Sequence, residues 1–296
     1  MATPQHEPVM VTEMVEILMP SRGGLFVDCT IGLGGHSHAL LGSGASRVIG
    51  LDRDLDALAI ARDALASFGD RVELVHADYR EIDRVLAERG IDGIHGALAD
   101  LGVSSLQLDA DGRGFSFRRD EALDMRMDRT QGPTAAELIA GMDEAPLADA
   151  IFQFGEERYS RRIARAIVES RRTAPIETTG QLASIVRRAV PRHGYQRIDP
   201  STRTFQALRI LVNRELDGLD RFLTAAARRL LTGARLAVIS FHSLEDRIVK
   251  HTFRALERAE ALVRVLTKRP LEPADDERAR NPRARSAKLR AIERLA

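Results

Sequence analysis

The 296-residue chain has a single cysteine, Cys29. One thiol excludes an internal disulfide framework and any multi-cysteine metal site, and it suits a reducing compartment. No run approaches the ~20 apolar residues of a membrane span. Residues 1–10 contain His6, Glu7 and two prolines but no Lys or Arg, so they lack the basic start of a signal peptide. The net charge of +1 excludes a general polycation. Lysine is scarce, with Lys250, Lys268 and Lys288 the only three. That skew toward arginine reads as genome composition. The expectation is a soluble cytoplasmic protein with no membrane association and no metal; the oligomeric state stays open. The 44% hydrophobic and 29% charged content matches an ordinary folded chain with a real core. The length fits one large domain or two at ~100–200 residues each.

Charge is unevenly placed. Arg278, Arg280, Arg283, Arg285, Lys288 and Arg290 follow one another with no acid among them, and six arginines lie between Arg158 and Arg172. Each patch suits a polyanion, and each is equally readable as a solvated face.

The first third alternates apolar runs with helical patterns. Leu25-Phe26-Val27-Asp28-Cys29 reads as a buried strand, Gly32-Leu33-Gly34-Gly35 as a tight loop and 36–41 as a helix start. Further strands are expected at 47–51, 72–75 and 94–98, with an amphipathic helix at 55–68. This alternation predicts a parallel sheet with crossover helices. The rhythm stops in a Gly/Ser/Asp/Arg-rich loop at 102–134, and 135–190 is helical throughout. A polar connection spans 194–203, helix returns at 204–231, and Arg235 to Phe241 is again a buried strand. A helix follows at 244–256, and 262–267 and 287–292 can pair as a final hairpin. The Arg/Pro/Asp-rich stretch 268–285 is the candidate mobile region. The domain expectation is therefore a cofactor-binding domain from 1–109 with 204–296, and a helical substrate-recognition insert at 110–203.

A strand, a glycine turn and a helix open the nucleotide-binding half of a doubly wound sheet. Asp52 ends the next strand, where a carboxylate can accept both ribose hydroxyls of an adenosine. Ser37 stands where a dinucleotide fingerprint wants its third glycine, which favours S-adenosylmethionine over a pyrophosphate cofactor. Asp100 ends the fourth strand, and ligands bind outside the carboxyl ends of such strands. His36 can hold a cofactor carboxylate or cap its helix, and His242 ends another strand. Asp28 and Thr30 can bind the neighbouring turn.

These pieces, in this order, resemble the bacterial RsmH (formerly MraW) family, S-adenosylmethionine-dependent methyltransferases of small-subunit ribosomal RNA. The stretches that carry the likeness are His6-Glu7-Pro8-Val9, Asp28-Cys29-Thr30, Gly34-Gly35-His36-Ser37, Asp52-Arg53-Asp54 and Asp100-Leu101-Gly102-Val103-Ser104-Ser105 with Gln107. They continue through Arg113-Gly114-Phe115-Ser116-Phe117, Leu123-Asp124-Met125-Arg126, Gly155-Glu156-Glu157-Arg158 and Phe205-Gln206-Ala207-Leu208-Arg209. Ser240-Phe241-His242-Ser243-Leu244-Glu245-Asp246-Arg247 and Asn281-Pro282-Arg283-Ala284-Arg285 complete the set. They span nearly the whole chain.

The resemblance implies a Rossmann-like α/β methyltransferase fold with an inserted helical domain. It implies cofactor contacts at Gly34, Gly35, His36, Asp52, Tyr79, Asp100 and Gln107. It implies methylation of the exocyclic N4 amino group of a cytidine in 16S ribosomal RNA, within the small ribosomal subunit. Two departures stand out: Asp199-Pro200-Ser201-Thr202-Arg203 occupies a segment that in the family usually starts His-Pro, and the stretch between Val265 and Glu277 is short.

The chemistry asks for more. An amino nitrogen conjugated with its ring is a poor nucleophile, so it needs in-line placement and a proton acceptor. Asp100 is the candidate orienting acceptor. Cys29 is unnecessary as a nucleophile, since that device activates a ring carbon. Phe115, Phe117 and Phe241 are candidates for holding an extruded base, or else core residues. Arg158, Arg161, Arg162 and Arg165 fall at helical spacing on one face and can bind phosphates, as can Arg283 and Arg285. The alternative for the stripe is pairing with Glu156, Glu157 and Glu169. Two rival functions remain: an NAD-dependent oxidoreductase, which Ser37 argues against, and a non-catalytic RNA binder, which the strand-end acids argue against.

Overall fold

The computed structural model describes residues 7–191, 199–259 and 261–295. His6 and part of the expected polar connection at 194–203 lie outside them. In chain order the elements begin with α1 (Val11–Leu18), β1 (Leu25–Asp28), α2 (Gly35–Gly42), β2 (Arg47–Asp52), α3 (Leu55–Ala64), β3 (Val72–His76), α4 (Ile82–Ala87) and β4 (Ile94–Asp100). Six helices follow: α5 (Ser105–Asp109), α6 (Ala135–Gly141), α7 (Glu144–Gly155), α8 (Ser160–Thr173), α9 (Thr179–Ala189) and α10 (Ser201–Asn213). The chain then runs through α11 (Leu219–Arg229), β5 (Leu230–Ser240), α12 (Ser243–Ala259), β6 (Val263–Val265), α13 (Asp275–Arg280) and β7 (Lys288–Arg294).

These divide into two compact units, Met1–Gly102 with Gly218–Ala296, and Val103–Asp217. The divisions fall wider than the expected 110 and 203. The later boundary moves because of packing: Phe205, Ala207 and Leu208 of α10 are buried in the same core as Ile151 of α7 and Ile163 of α8.

The first unit is built on one seven-stranded sheet of order β3-β2-β1-β4-β5-β7-β6. The first five strands are parallel; β7 runs antiparallel to β5, and β6 antiparallel to β7. This is a Rossmann-like α/β fold. Both sheet faces are covered, which is why the strands read as continuous apolar runs. Val27, Ala97, Ala99, Leu236 and Val238 enter one core with Phe222 and Phe253, and Phe26, Leu98, Ala237 and Ile239 enter the opposite core with Met14 and Leu40. The expected pairing of 262–267 with 287–292 exists, with β7 lying between β5 and β6. The stretch 268–285 carries α13 and a 3-10 turn at Pro282–Ser286.

The second unit is helical around its own core. Its helices start where the sequence supplies capping boxes: Ser104 with Gln107, Thr134 with Glu137 and Thr178 with Gln181. The long segment 110–134 stays irregular and is anchored by buried Arg113, whose guanidinium donates to the carbonyls of Arg126 and Met127 at 3.2 and 3.1 Å.

Candidate active site

Strand order reverses around β1, with β2 on one side and β4 on the other. The crevice at such a switch point is where doubly wound sheets bind ligands. Three acids stand at the carboxyl ends of these strands: Asp28, Asp52 and Asp100.

The turn between β1 and α2 is shaped by glycine. Gly34 has φ 87°, a left-handed conformation that costs glycine least, and a Cβ there would come 3.0 Å from Leu65. Gly35 answers to packing: a Cβ would lie 2.7 Å from Pro8 Cγ. Ser37 donates its hydroxyl to Asp28 Oδ2 at 2.7 Å. The residue that breaks the dinucleotide fingerprint thus supplies a partner for a buried acid. Asp28 Oδ1 accepts the Thr30 amide at 3.3 Å, and Thr30 Oγ1 in turn accepts the Asp100 amide at 2.7 Å. Asp28 and Thr30 are the turn's internal brace. Burial pushes the Asp28 carboxyl up to about 6 against the favourable His36 and Ser37 contacts.

Asp52 accepts the Gly32 amide on Oδ2 and the Asp54 amide on Oδ1, both at 2.9 Å. Each oxygen therefore keeps further acceptor capacity. Burial raises its pKa, and the two amide bonds work against that rise. Tyr79 follows β3 in a 3-10 turn capped by Asp78, and its ring packs on Phe222 with centroids 4.7 Å apart.

Asp100 differs from the other two. Its Oδ1 is buried and has no hydrogen-bond partner among the described residues, although the side chain as a whole is 23% exposed. Burial, and then the nearby Glu245 carboxylate, push its pKa up to about 8. An orphaned buried carboxyl oxygen is costly and marks a place where a polar ligand group belongs. His36 Nε2 lies 2.9 Å from the Val9 carbonyl and donates to it, which turns Nδ1 toward Asp100 Oδ2 at 3.9 Å.

Sequence reasoning missed Glu245. It is 2% exposed, accepts the Phe241 amide at 2.9 Å and stands 3.2 Å from His242 Nε2. The signal was present as an acid three residues after His242 at a helix start. His242 is itself largely buried beside it. Phe241 packs under Gly102. Cys29 is buried and its thiol is pushed well up by burial, in keeping with a core residue.

Gln107 belongs to the second unit, where its side chain accepts the Ser104 amide at 3.0 Å. In that unit Phe117 stacks edge-on against Phe205 at 4.8 Å beneath Arg187, and Phe115 is buried. Asp199, one of the departures from the family pattern, pairs with Arg187 at 2.8 Å and caps α10 through the Ser201 amide.

The arginine stripe needs one correction. Arg158 precedes α8 and lies over the Tyr159 ring at 4.6 Å, because the helix starts only at Ser160. Arg161, Arg162 and Arg165 are exposed on α8, and Arg165 approaches Glu144 at 3.4 Å. Glu157, an expected partner of the stripe, instead accepts the Tyr159 amide and faces Arg203. Arg162 and Arg165 line a groove of about 420 Å³ with Glu169 and Arg188 of α9. Arg283 and Arg285 lie in the 3-10 turn after α13, Arg285 exposed.

No helix among the described residues is long and apolar enough to cross a membrane. The family model described as the MraW methylase family matches residues 3–295. A Sorangium cellulosum protein named ribosomal RNA small subunit methyltransferase H is 52% identical over 291 residues, 98% of this chain and 91% of that protein. Proteins of the same name from Synechococcus elongatus and Nitrobacter winogradskyi are 51% and 50% identical, each over 98% of this chain and over 95% and 91% of their own lengths. With a match running almost end to end, the chain belongs to the MraW methylase family.

Proposed function

We propose that this protein transfers a methyl group from S-adenosylmethionine to the exocyclic N4 amino group of a cytidine in 16S ribosomal RNA. S-adenosylmethionine-dependent methylation of small-subunit ribosomal RNA rests on family membership over almost the entire chain, the observation that carries the reading. The N4 position, the assembled small ribosomal subunit as the setting and the cytoplasm as the compartment extend it.

The site suits the cofactor on one structural ground above all: the unpartnered, buried Asp100 Oδ1 at the switch point. When bound, S-adenosylmethionine supplies an electrophilic methyl on a sulfonium. The remaining work falls to the chain. Gly34 and Gly35 shape the turn whose backbone faces the cofactor, Asp52 offers free acceptor capacity to ribose hydroxyls, and His36 is a cofactor contact. Tyr79 and Gln107 are proposed contacts on the resemblance alone. Asp100 orients the amino nitrogen by accepting one of its protons, and that proton leaves as the nitrogen gains the methyl. Arg161, Arg162 and Arg165, with Arg158 beside the helix, position RNA phosphates, and Arg188 joins them across the groove. Arg283 and Arg285 make secondary contacts.

An Asp100 carboxyl near pKa 8 is protonated at neutral pH and becomes a full acceptor only above it. The second-order rate constant for methyl transfer, which reports the free protein, is therefore expected to climb between about pH 7 and 8.5. Asp100→Asn should abolish the climb and lower the single-turnover rate at saturating cofactor ~10²-fold. Recovery to within a few-fold of wild type at saturation would leave Asp100 a cofactor ligand only. Labelled methyl transfer to unmodified small-subunit RNA, followed by nucleoside mass mapping, tests the reaction itself. The expected product is N4-methylcytidine; methyl on a ring carbon or another base overturns the assignment.

A further inference from the structure

Two stretches from the sequence pattern, at residues 7–9 and 281–285, supply no side chain to the methyl-transfer step. In the fold they meet each other. The Met10 amide donates to Glu277 Oε1 at 2.8 Å, the Asn281 side-chain amide donates to the Glu7 carbonyl at 3.1 Å, and Arg280 pairs with the Glu7 carboxylate at 2.8 Å. Glu277 is 7% exposed and Asn281 8%, so the first two contacts are sheltered from water. Met10 is held in the left-handed region at φ 55°, ψ 39°, a conformation that a non-glycine residue keeps only when its surroundings impose it.

The segment held in this way covers the glycine turn. Pro8 fills the space a Gly35 side chain would need, and the Val9 carbonyl takes the His36 Nε2–H. That bond decides which ring nitrogen carries the proton. With Nε2 as donor, the neutral ring presents an unprotonated Nδ1 toward Asp100.

We infer that Glu277 and Asn281 are positioning residues for the cofactor turn: they clamp residues 7–10, and through the Val9 carbonyl they set the tautomer and direction of His36. This rests on His36 and the glycine turn forming the cofactor site. It explains why a buried carboxylate stands on a short helix far along the chain from the site it serves. An amide placed there would serve as well, because the contact needs an acceptor and not a charge.

The experiment compares Glu277→Ala, Glu277→Gln and Asn281→Ala in the full chain. Calorimetry measures S-adenosylmethionine affinity, and 15N imidazole shifts of ligand-free protein read the His36 tautomer. Glu277→Ala is expected to weaken binding about tenfold and to mix the His36 tautomers. Asn281→Ala should do the same to a lesser degree, and Glu277→Gln should stay within about threefold of wild type with the Nε2–H tautomer kept. The single-turnover rate at saturating cofactor should not change in any of them. Arg280→Ala, which removes only exposed pairs with Glu7 and Asp276, controls for general loosening and should leave both readouts alone. Wild-type tautomer and affinity in Glu277→Ala overturn the inference. If that variant does not fold, the same result in Asn281→Ala overturns it. If His36→Ala binds cofactor as tightly as wild type, the cofactor site is misplaced, while the tautomer readout still decides the clamp.

Discussion

Residues 158–172 and 278–290 look alike as sequence, each an arginine-rich stretch suited to a polyanion. The fold treats them differently. On α8, Arg161 and Arg162 are exposed and make no ion pair among the described residues, and exposed Arg188 of α9 lines one groove with Arg162. In the later segment Arg278 meets Glu272 and Asp275, Arg280 meets Glu7 and Asp276, and Arg290 forms a two-pronged pair with Asp246, which also draws in Lys288. Local charge density therefore does not define a binding surface. What decides is whether the fold brings acids from elsewhere, and Glu7 and Asp246 come from far along the chain. Even α8 gives up one arginine to structure: Arg171 donates to the carbonyls of Ile139 and Met142, which end α6.

The sharpest break in this comparison is Arg290→Ala. Arg290 is 6% exposed and holds Asp246 at 2.6 and 3.2 Å. Removing Arg290 leaves the largely buried Asp246 carboxylate with Lys288 at 3.8 Å in place of its two-pronged partner, at a cost of up to about 3 kcal/mol. Urea unfolding should show that loss, with RNA affinity per folded molecule unchanged. Arg162→Ala should move stability by no more than ~0.5 kcal/mol.

Acids divide in the same way. Asp78 and Asp124 are buried enough to be raised, yet their arginine partners hold them below the usual carboxylate range. Asp100 and Asp28, without such partners, are pushed up to about 8 and about 6. The folded state then keeps protons that an unfolded chain releases near pH 3.8. The stability this contributes is complete below that value and is lost as pH rises through about 6 and then 8. Asp100→Asn removes the larger share. Relative to it, wild type should lose about 1.4 kcal/mol for each pH unit between pH 5 and 8. Parallel stability–pH curves for the two proteins would show that the carboxyl is not held in its acid form.

Third is the reversal Arg162→Glu with Arg165→Glu. RNA affinity should fall roughly 10–100-fold, and the slope of log K against log salt should flatten by about two, since fewer counterions are released. Cofactor affinity, read by calorimetry, should stay the same. Wild-type affinity with an unchanged slope would return α8 to the solvated-face reading.

Much of the sheet was legible because its strands, buried on both faces, are apolar runs ending in acids, and Asp28, Asp52 and Asp100 announce their strand ends. The place of β7 between β5 and β6 was not, since long-range pairing leaves no local mark. Gln107 entered as a cofactor contact through resemblance, while its S-x-x-Q spacing with Ser104 already spelled a helix start. Arg158 fits the helical period by number alone; Gly155 and left-handed Glu156 end α7 and delay the start of α8. Glu277 and Glu245 could not be ranked by sequence, because what distinguishes them from other acids is burial against amides far away or near, and burial is a property of the fold.

The smallest effect is expected from Arg285, and it tests the comparison at its weakest point. Arg285 is exposed, and among the described residues its guanidinium reaches the Arg278 carbonyl at 3.5 Å and pairs with no acid. If exposed, unpaired arginine is what binds RNA, Arg285→Ala should reduce affinity about two- to threefold and lower the salt slope by at most one, with stability unchanged. Its neighbour Arg280, paired with Glu7 and Asp276, should give no change in RNA affinity when replaced by alanine. Equal losses from both would mean that surface ion pairs this exposed yield to phosphate at little cost, as their small net energies allow. The difference between the two basic segments would then be one of degree, set by burial at Arg290 and not by pairing along the run.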